Sequence, residues 1–495
     1  MFLLIIITFL FAYIITKQWK SRMNLPKGPI PFPLIGNIPQ VLLALRETGS
    51  VVGTLRKFQK DHGKIYTLWF GPMKTVHICD YDLAYEVMVK NGSKYAERFV
   101  PGSMRDLTEG CGVIWSNGEF WQRHRRFALH TLRNFGLGKN LMEERIMEEI
   151  NARFAELDRK QENVRDAGRF FDILVGSIIN NLIFSERFSE GDEEYEKLKG
   201  LLDKSFEGAS FLDTFIPSAL MNSPLLKFRK ESQMGPMNKI LAYLREKIDR
   251  RFDAIENGKH VIPEEPQDYV DAFLKQMEKE KKENGEDSTF NFHSLSMEII
   301  DLWLAGQETS STTLVWAVLL LLNNPEEIVK TREEIIKVTD NGTSHVSLAD
   351  RTNTPYLNAV INEIQRHASI LNINLGRINP EDTTIDGQPV EKGAMITAQL
   401  SLILSDEKDY PNSEQFLPSR FIENESLQQR LCVFGLGKRA CLGESLARAE
   451  LYLILGNLLL RYDLQPDGDL PPAASFNPIG AMNKPHKCSL KFIKL

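Results

Sequence analysis

The sequence predicts a mainly α-helical chain with a smaller β portion, carried behind one apolar N-terminal helix. Three observations predict it. Nearly everything over residues 81–348 repeats its apolar side chains with the helical period. Two β-rich parts stand apart from that region, at residues 64–79 and around residues 383–397, each interrupted by glycine turns. Residues 1–16 are almost wholly apolar, with Lys17, Lys20 and Arg22 just behind them.

As a helix, that first stretch would reach about 24 Å, against a hydrocarbon core of roughly 30 Å, and Lys17, Trp19 and Lys20 can bridge the difference by snorkelling. It lacks the basic start and small-residue cleavage site of a removed signal, so it reads as a signal anchor. The positive charge behind it places the body in the cytosol. Leu25-Pro26-Lys27-Gly28-Pro29-Ile30-Pro31-Phe32-Pro33 cannot be helical and reads as a stiff spacer. The expected organisation is an anchor at 1–16, a basic and proline-rich hinge at 17–40, and one domain at 41–495.

Composition narrows the class. Apolar residues make up 42% and charged residues 25%, which permits a large core. A net charge of -6 with mixed signs argues against nucleic acid as a partner. The cysteines at 79, 111, 432, 441 and 488 are odd in number and form no C-x-x-C pair, so a reducing compartment is expected, with no disulfide framework or zinc knuckle. The sequons at Asn91, Asn341 and Asn424 are then expected to be unglycosylated.

Within the domain, residues 64–71 and 74–79 read as a hairpin about Gly71-Pro72. Trp121 and Arg125 share a helical face, offering an indole N–H and a forked cation suited to a carboxylate; a solvated basic helix accounts for them as well. Residues 295–322 are apolar around most of the helix, as befits the middle of a core, and end before Pro325. Inside lies a polar island, Ala305-Gly306-Gln307-Glu308-Thr309-Ser310, which is either a site or a Ser/Thr patch bonded to its own helix. Glu363 and Arg366 are an i, i+3 pair, and Arg420 follows.

Phe434-Gly435-Leu436-Gly437-Lys438-Arg439-Ala440-Cys441-Leu442-Gly443 then bends on its glycines into a helix that starts at Glu444. Cys441 sits where exposed N–H groups and the macrodipole favour a thiolate. A helix-capping loop with a buried Cys is the plainer alternative, and a dinucleotide turn fails because its third glycine would fall at Ala440.

The pattern F-x-x-G-x-R-x-C-x-G, met at Phe434, Gly437, Arg439, Cys441 and Gly443, resembles the haem-binding loop of the cytochrome P450 family, in which the cysteine thiolate is the axial iron ligand. The resemblance implies the P450 fold and extends along the chain. Trp121 and Arg125 are similar to the family's C-helix pair on a haem propionate. Arg377 matches a position where relatives place an Arg or His on a propionate, and Arg439 joins them. Arg123, Arg126 and Arg133 would lie elsewhere on that helix, facing an acidic electron donor or plain solvent. Glu109 stands before Gly110-Cys111-Gly112-Val113 where many relatives carry an arginine, with Arg105 a candidate substitute.

The 305–310 island is similar to the I-helix oxygen-activation motif. There Gly306 would admit a ligand to the backbone, while Glu308 and Thr309 would deliver the protons that O–O cleavage consumes. Glu363, Arg366 and Arg420 resemble a buried structural network behind the haem. Residues 268–274, with the Lys/Glu run after them, resemble the branch of microsomal drug- and steroid-oxidising animal enzymes (family 2-like).

The implied function is a haem-thiolate monooxygenase carrying haem b (iron protoporphyrin IX). It would insert one oxygen atom of O2 into a lipophilic molecule, whether xenobiotic, fatty acid or steroid-like. NADPH would supply electrons through NADPH-cytochrome P450 reductase, with cytochrome b5 a second donor, at the endoplasmic reticulum membrane with the catalytic domain facing the cytosol. Pocket residues are expected near 99–114, 206–211, 303–309, 370–375 and Ile479. The alternatives are a haem-thiolate isomerase or dehydratase needing no reductase, which the Glu308-Thr309 pair opposes, and a non-enzymatic haem-binding membrane protein.

Overall fold

The computed structural model describes the chain apart from residues 136–139, 160–163, 209–210, 286–287, 372–373 and 481. Expected pocket residues 209–210 and 372–373 therefore lie outside the described residues. The chain is 59% helical and 10% strand, a mainly α protein as expected.

Helix α1 (Phe2–Met23) runs past Thr16, because nothing between Lys17 and Met23 breaks a helix; Pro26 enforces the end. The first part of the expected hinge is thus helical. Phe2, Phe9 and Tyr13 are exposed on α1. Its other end is docked: the Gln18 amide donates to the Phe32 carbonyl at 3.2 Å, and the Ser21 hydroxyl bonds the Glu391 carboxylate. The proline spacer is non-helical, as expected, and α2 (Ile38–Thr48) and α3 (Val51–His62) follow it. Strands β1 (Ile65–Phe70) and β2 (Met73–Ile78) form the expected antiparallel hairpin, with Phe70 opposite Met73.

The helical region contains α4 (Tyr81–Tyr85), α5 (Gly102–Thr108), α6 (Gly118–Asn134) and α7 (Asn140–Arg159). The short strand β3 (Val164–Asp166) interrupts it, because its residues pair with a C-terminal strand that no local pattern announces. Next come α8 (Ala167–Phe184), α9 (Glu193–Gly208), α10 (Ser218–Met221), α11 (Lys227–Glu256), α12 (Tyr269–Asn284), α13 (Phe292–Asn323), α14 (Pro325–Val338) and α15 (Pro355–Ala368). Among the described residues only α8 is long and apolar enough to cross a membrane, and most of it is buried, packed along α13.

The second β-rich part resolves into β4 (Arg377–Ile378), β5 (Thr383–Ile385), β6 (Gln388–Val390) and β7 (Met395–Ala398). After the short α16 (Leu400–Ile403), α17 (Arg420–Glu423) and α18 (Leu427–Arg430) come α19 (Glu444–Arg461), β8 (Tyr462–Pro466) and β9 (Ser489–Lys494). Strands order as β1-β2-β7-β4, with β2 and β7 parallel, as β3-β9-β8, and as the β5-β6 hairpin.

Helix α13 matches the predicted central helix. Asn291 and Ser294 close a capping box at its start, and Pro325 stops it by opening α14. Trp303, Leu314, Trp316 and Leu320 are buried around its circumference, sharing one core with α8 and α19. That core fixes α13 beside α19, whose first turn adjoins the Cys441 loop.

Candidate functional site

The loop before α19 is held by its own backbone. Gly435 N–H donates to the Cys432 carbonyl at 2.9 Å, and Cys441 N–H donates to the Phe434 carbonyl at 2.8 Å. Gly437 adopts φ 72°, and a Cβ there would fall 1.7 Å from the Met88 carbonyl oxygen, so only glycine fits this approach. Gly437 therefore shapes the loop through the neighbouring segment. Phe434 lies half-buried, with the Arg448 guanidinium 4.8 Å from its ring centroid.

Cys441 is exposed, whereas Cys79, Cys432 and Cys488 are buried. The residue is exposed, yet protein hems in its thiol. Burial pushes its thiol up, opposed by the Gly443 N–H and by Arg125, and reinforced by Glu444. The Gly443 N–H and Arg125 favour the thiolate against that burial, and a cation bound at the sulfur would favour it further.

Facing the loop is a concentration of arginine. In α6, Trp121 is buried and Arg125 donates to the Ala440 carbonyl at 2.5 Å. The Arg439 guanidinium lies 3.7 Å from the Trp121 ring centroid, and donates to the Ala96 carbonyl at 2.8 Å and to Asn117 Oδ1 at 2.7 Å. Arg377, on β4, bridges backbone to backbone with Arg98. Arg98, Arg377 and Arg439 are all buried, and no carboxylate pairs with them among the described ion pairs.

The four cations repel one another. Burial first, and neighbouring arginines next, push Arg377 down to about 8 and Arg439 down to about 9. Arg98 falls to about 10 through burial and Arg125. Arg98 Nε, Arg377 Nη1, Arg439 Nη1 and Trp121 Nε1 are buried donors without hydrogen-bond partners. Buried donors of this kind call for an acceptor, and here the acceptor must be anionic. No three His, Cys, Asp or Glu side chains converge as a metal site among the described residues. An iron at Cys441 would thus need equatorial ligands of its own. A porphyrin bearing two carboxylates fits the cysteine, the indole and the arginines together.

Sequence reasoning found Trp121, Arg125, Arg377 and Arg439 but missed Arg98. Its Glu97-Arg98 context reads as an ordinary surface pair; only the bridge to Arg377 brings it inside. Asn117 was also missed: its side chain accepts from Arg98 N–H at 2.7 Å and donates to the Arg98 carbonyl at 2.9 Å, linking that backbone to Arg439. Arg105 is exposed and takes no part in the concentration. Arg123 is drawn into an ion pair with Glu280, leaving Arg126 and Arg133 exposed on α6.

The polar island on α13 is divided. Thr309 donates to the Ala305 carbonyl at 2.7 Å, on a face where Ala305 is exposed. Glu308 points elsewhere, with Lys199 Nζ at 2.8 Å from Oε2 and Lys484 bonded to Oε1. A Cβ at Gly306 would lie 2.5 Å from Ile179 Cδ1, so this glycine admits α8, not a ligand. Trp303 is fully buried and belongs to the core, correcting its expected place in the pocket lining. Ser310 ties α13 to α19 through Glu450 Oε2 at 2.5 Å.

Behind the loop, Glu363, Arg366 and Arg420 form the expected buried network. Arg366 grips Glu363 with Nε at 2.7 Å and Nη2 at 2.8 Å, and Arg420 Nε reaches it at 3.2 Å.

A family model described as Cytochrome P450 matches residues 26–492. The chain belongs to the cytochrome P450 family. It is 38% identical to the probable cytochrome P450 cyp-35D1 of Caenorhabditis elegans across the whole of both chains. It is 34% identical to cytochrome P450 2H1 of Gallus gallus, over 92% of this chain and 91% of the other. It is also 31% identical to cytochrome P450 2C8 of Homo sapiens, over 94% of each. This P450 is therefore an enzyme of the monooxygenase class, a haem protein supplied with electrons by a redox partner, and similar to family 2 animal enzymes.

Proposed function

We propose that this P450 inserts one oxygen atom of O2 into a lipophilic small molecule, using haem b and electrons passed from NADPH by NADPH-cytochrome P450 reductase, with cytochrome b5 able to give the second. The observation that carries the reading is the set of unpartnered donors on Trp121, Arg98 and Arg377, together with Arg439 of the Cys441 loop itself. Bound haem supplies the redox-active iron at which O2 is activated.

The chain's own residues do the rest. Cys441 would hold the iron through its sulfur, an electron-donating ligand. Trp121, Arg98, Arg125, Arg377 and Arg439 donate to the propionates; Phe434 and Gly437 keep the loop in shape. Thr309 holds water on the open face of α13, and Glu308 hands it protons. Substrate contacts come from Phe99, Ile114, Phe206, Ile370, Leu375 and Ile479, an apolar set suited to xenobiotics, fatty acids or steroid-like molecules. The exposed apolar residues of α1 anchor residues 1–16 in the endoplasmic reticulum membrane, residues 17–40 form the connection, and residues 41–495 form a catalytic domain in the cytosol.

The carbon monoxide difference spectrum of the reduced protein tests this. A red-shifted thiolate-type Soret band is expected, and Cys441→Ser should abolish it. An unchanged band in that variant removes Cys441 as the ligand.

A further inference from the structure

Five asparagines in this chain are followed by glycine: Asn91, Asn117, Asn257, Asn284 and Asn341. Such a pair can cyclise, because glycine brings no side chain to hinder its nitrogen from reaching the neighbouring amide carbon. A bond forms from that nitrogen to asparagine Cγ, and the bond from Cγ to Nδ2 breaks. The backbone amide proton passes to solvent, ammonia leaves, and nothing is oxidised or reduced. Water then opens the cyclic imide at either carbonyl. The product is aspartate, or isoaspartate with an extra methylene in the backbone. By residue order alone the five sites are equivalent.

The fold separates them. Gly92 N–H donates to the Val89 carbonyl at 3.1 Å, Gly258 N–H to the Ile255 carbonyl at 3.0 Å, and Gly118 N–H to Glu97 Oε1 at 3.2 Å. Gly285 N–H caps α12 on the Lys281 carbonyl. Three of the side-chain amides are held as well. Asn91 and Asn257 donate to the Glu86 and Asp253 carbonyls at 3.0 and 2.8 Å, and Asn117 to the Arg98 carbonyl at 2.9 Å. At these sites local opening must precede cyclisation.

Gly342 differs. Its N–H and the Asn341 side chain have no hydrogen-bond partner among the described residues, and both residues are exposed in the turn after α14. Asn257 is exposed too, so the free glycine N–H is what sets Asn341 apart. Asp340, Asn341 and Gly342 all have left-handed backbone, with φ of 48°, 56° and 83°, a region that asparagine tolerates. The turn is closed by Ser344 N–H on the Thr339 carbonyl at 3.1 Å and by Thr343 Oγ1 on the Asp340 carbonyl at 2.8 Å. Neither bond uses the reacting atoms.

We propose that Asn341 is a site of spontaneous deamidation, turning to aspartate and isoaspartate in the folded protein while the other four asparagines persist. The change is local. A Cβ at Gly342 would lie 3.7 Å from Leu460 Cδ1, near the end of α19, whereas Cys441 precedes the start of that helix, roughly 25 Å of helix away. Deamidation at this turn is independent of the monooxygenase reading.

The full-length haem-loaded protein is aged at mildly alkaline pH and its peptides are then analysed by mass spectrometry. Acid should accumulate at Asn341 severalfold faster than at any of the other four sites. In urea, where the caps and turns are gone, the five sites should react at comparable rates. Gly342→Ala should slow the reaction at Asn341 severalfold, since the new methyl group crowds the attacking nitrogen. Asn341→Asp, which mimics one product, should keep the full thiolate band. An intact Asn341 in the aged folded protein, or another of the five reacting as fast, overturns the proposal. The same ranking in urea overturns the role of the fold, and a lost band in Asn341→Asp overturns the isolation of this turn from the haem site.

Discussion

Replacing Glu363 by glutamine keeps the side chain's shape and removes its charge. In the native protein its two oxygens accept from Arg366 Nε and Nη2, Arg420 Nε and the Leu417 N–H, at 2.7 to 3.2 Å. Glu363 and Arg366 are almost wholly buried and Arg420 nearly so. The glutamine NH2 cannot accept, so at least one guanidinium bond becomes a donor-to-donor contact, and two buried cations lose their counter-charge. Removing one member of a buried ion pair costs about 3–5 kcal/mol, against a typical total of about 5–15 kcal/mol.

Arg366 also donates to the Leu404 and Ser413 carbonyls, and Arg420 to the Pro411 carbonyl, so the loss spreads into the segment that leads toward the Cys441 loop. The assay is equilibrium unfolding of the purified protein, with haem content measured in parallel. Glu363→Gln should be destabilised by several kcal/mol and retain little haem. Combining Glu363→Leu with Arg366→Leu should cost less than the two single changes summed, because the pair is coupled. A Glu363→Gln protein within 1 kcal/mol of the parent would refute the reasoning, as it would mean water already shares these charges.

Three more expectations concern the site. Arg98→Leu removes a charge-assisted donor worth about 1.5–3 kcal/mol, so transfer of haem to a scavenging protein should quicken roughly tenfold or more; parent-like transfer would remove Arg98 from the cradle. Gly437→Ala must move the loop off Met88 and bear a left-handed φ costing roughly 1 kcal/mol, so the thiolate band should fall severalfold, and a full band would contradict the close approach. Asp301 is buried, accepts from the Val113 and Ile114 N–H groups at 2.8 and 2.9 Å, and is pushed up to about 7, chiefly by burial. The folded state therefore binds this proton more tightly than the unfolded one. Its contribution is present below about pH 4 and is lost as pH rises toward about 7, with a slope approaching 1.4 kcal/mol per pH unit. Asp301→Asn should flatten that part of the stability profile, and an identical slope in the variant would deny Asp301 the titration.

Much of this architecture could be read from residue order because it rests on local signals. Pro325 ends α13 where expected, Gly71 marks the hairpin turn, and Trp121 and Arg125 share a face of α6. What escaped depends on contacts across the sequence. β3 is only three residues long and exists through pairing with β9. Arg98 is buried because β4 lies beside it, and Lys199 and Lys484 meet at Glu308 from helices and segments far apart. Gly306 carried a misleading signal: in a helix, the absence of a side chain looks the same whether a ligand or another helix fills the space, and Ile179 fills it.

The parallel pairing of β2 with β7 has a consequence for biosynthesis. Residues 73–78 emerge from the ribosome long before residues 395–398, with which they share a sheet. Roughly 300 residues at about 5–20 per second leave the β2 edge waiting on the order of 15–60 s. An open strand edge is a template for wrong partners. Newly made chains thus pass through a long interval in which that edge is open to wrong partners, and the Cys441 loop is synthesised only after β7.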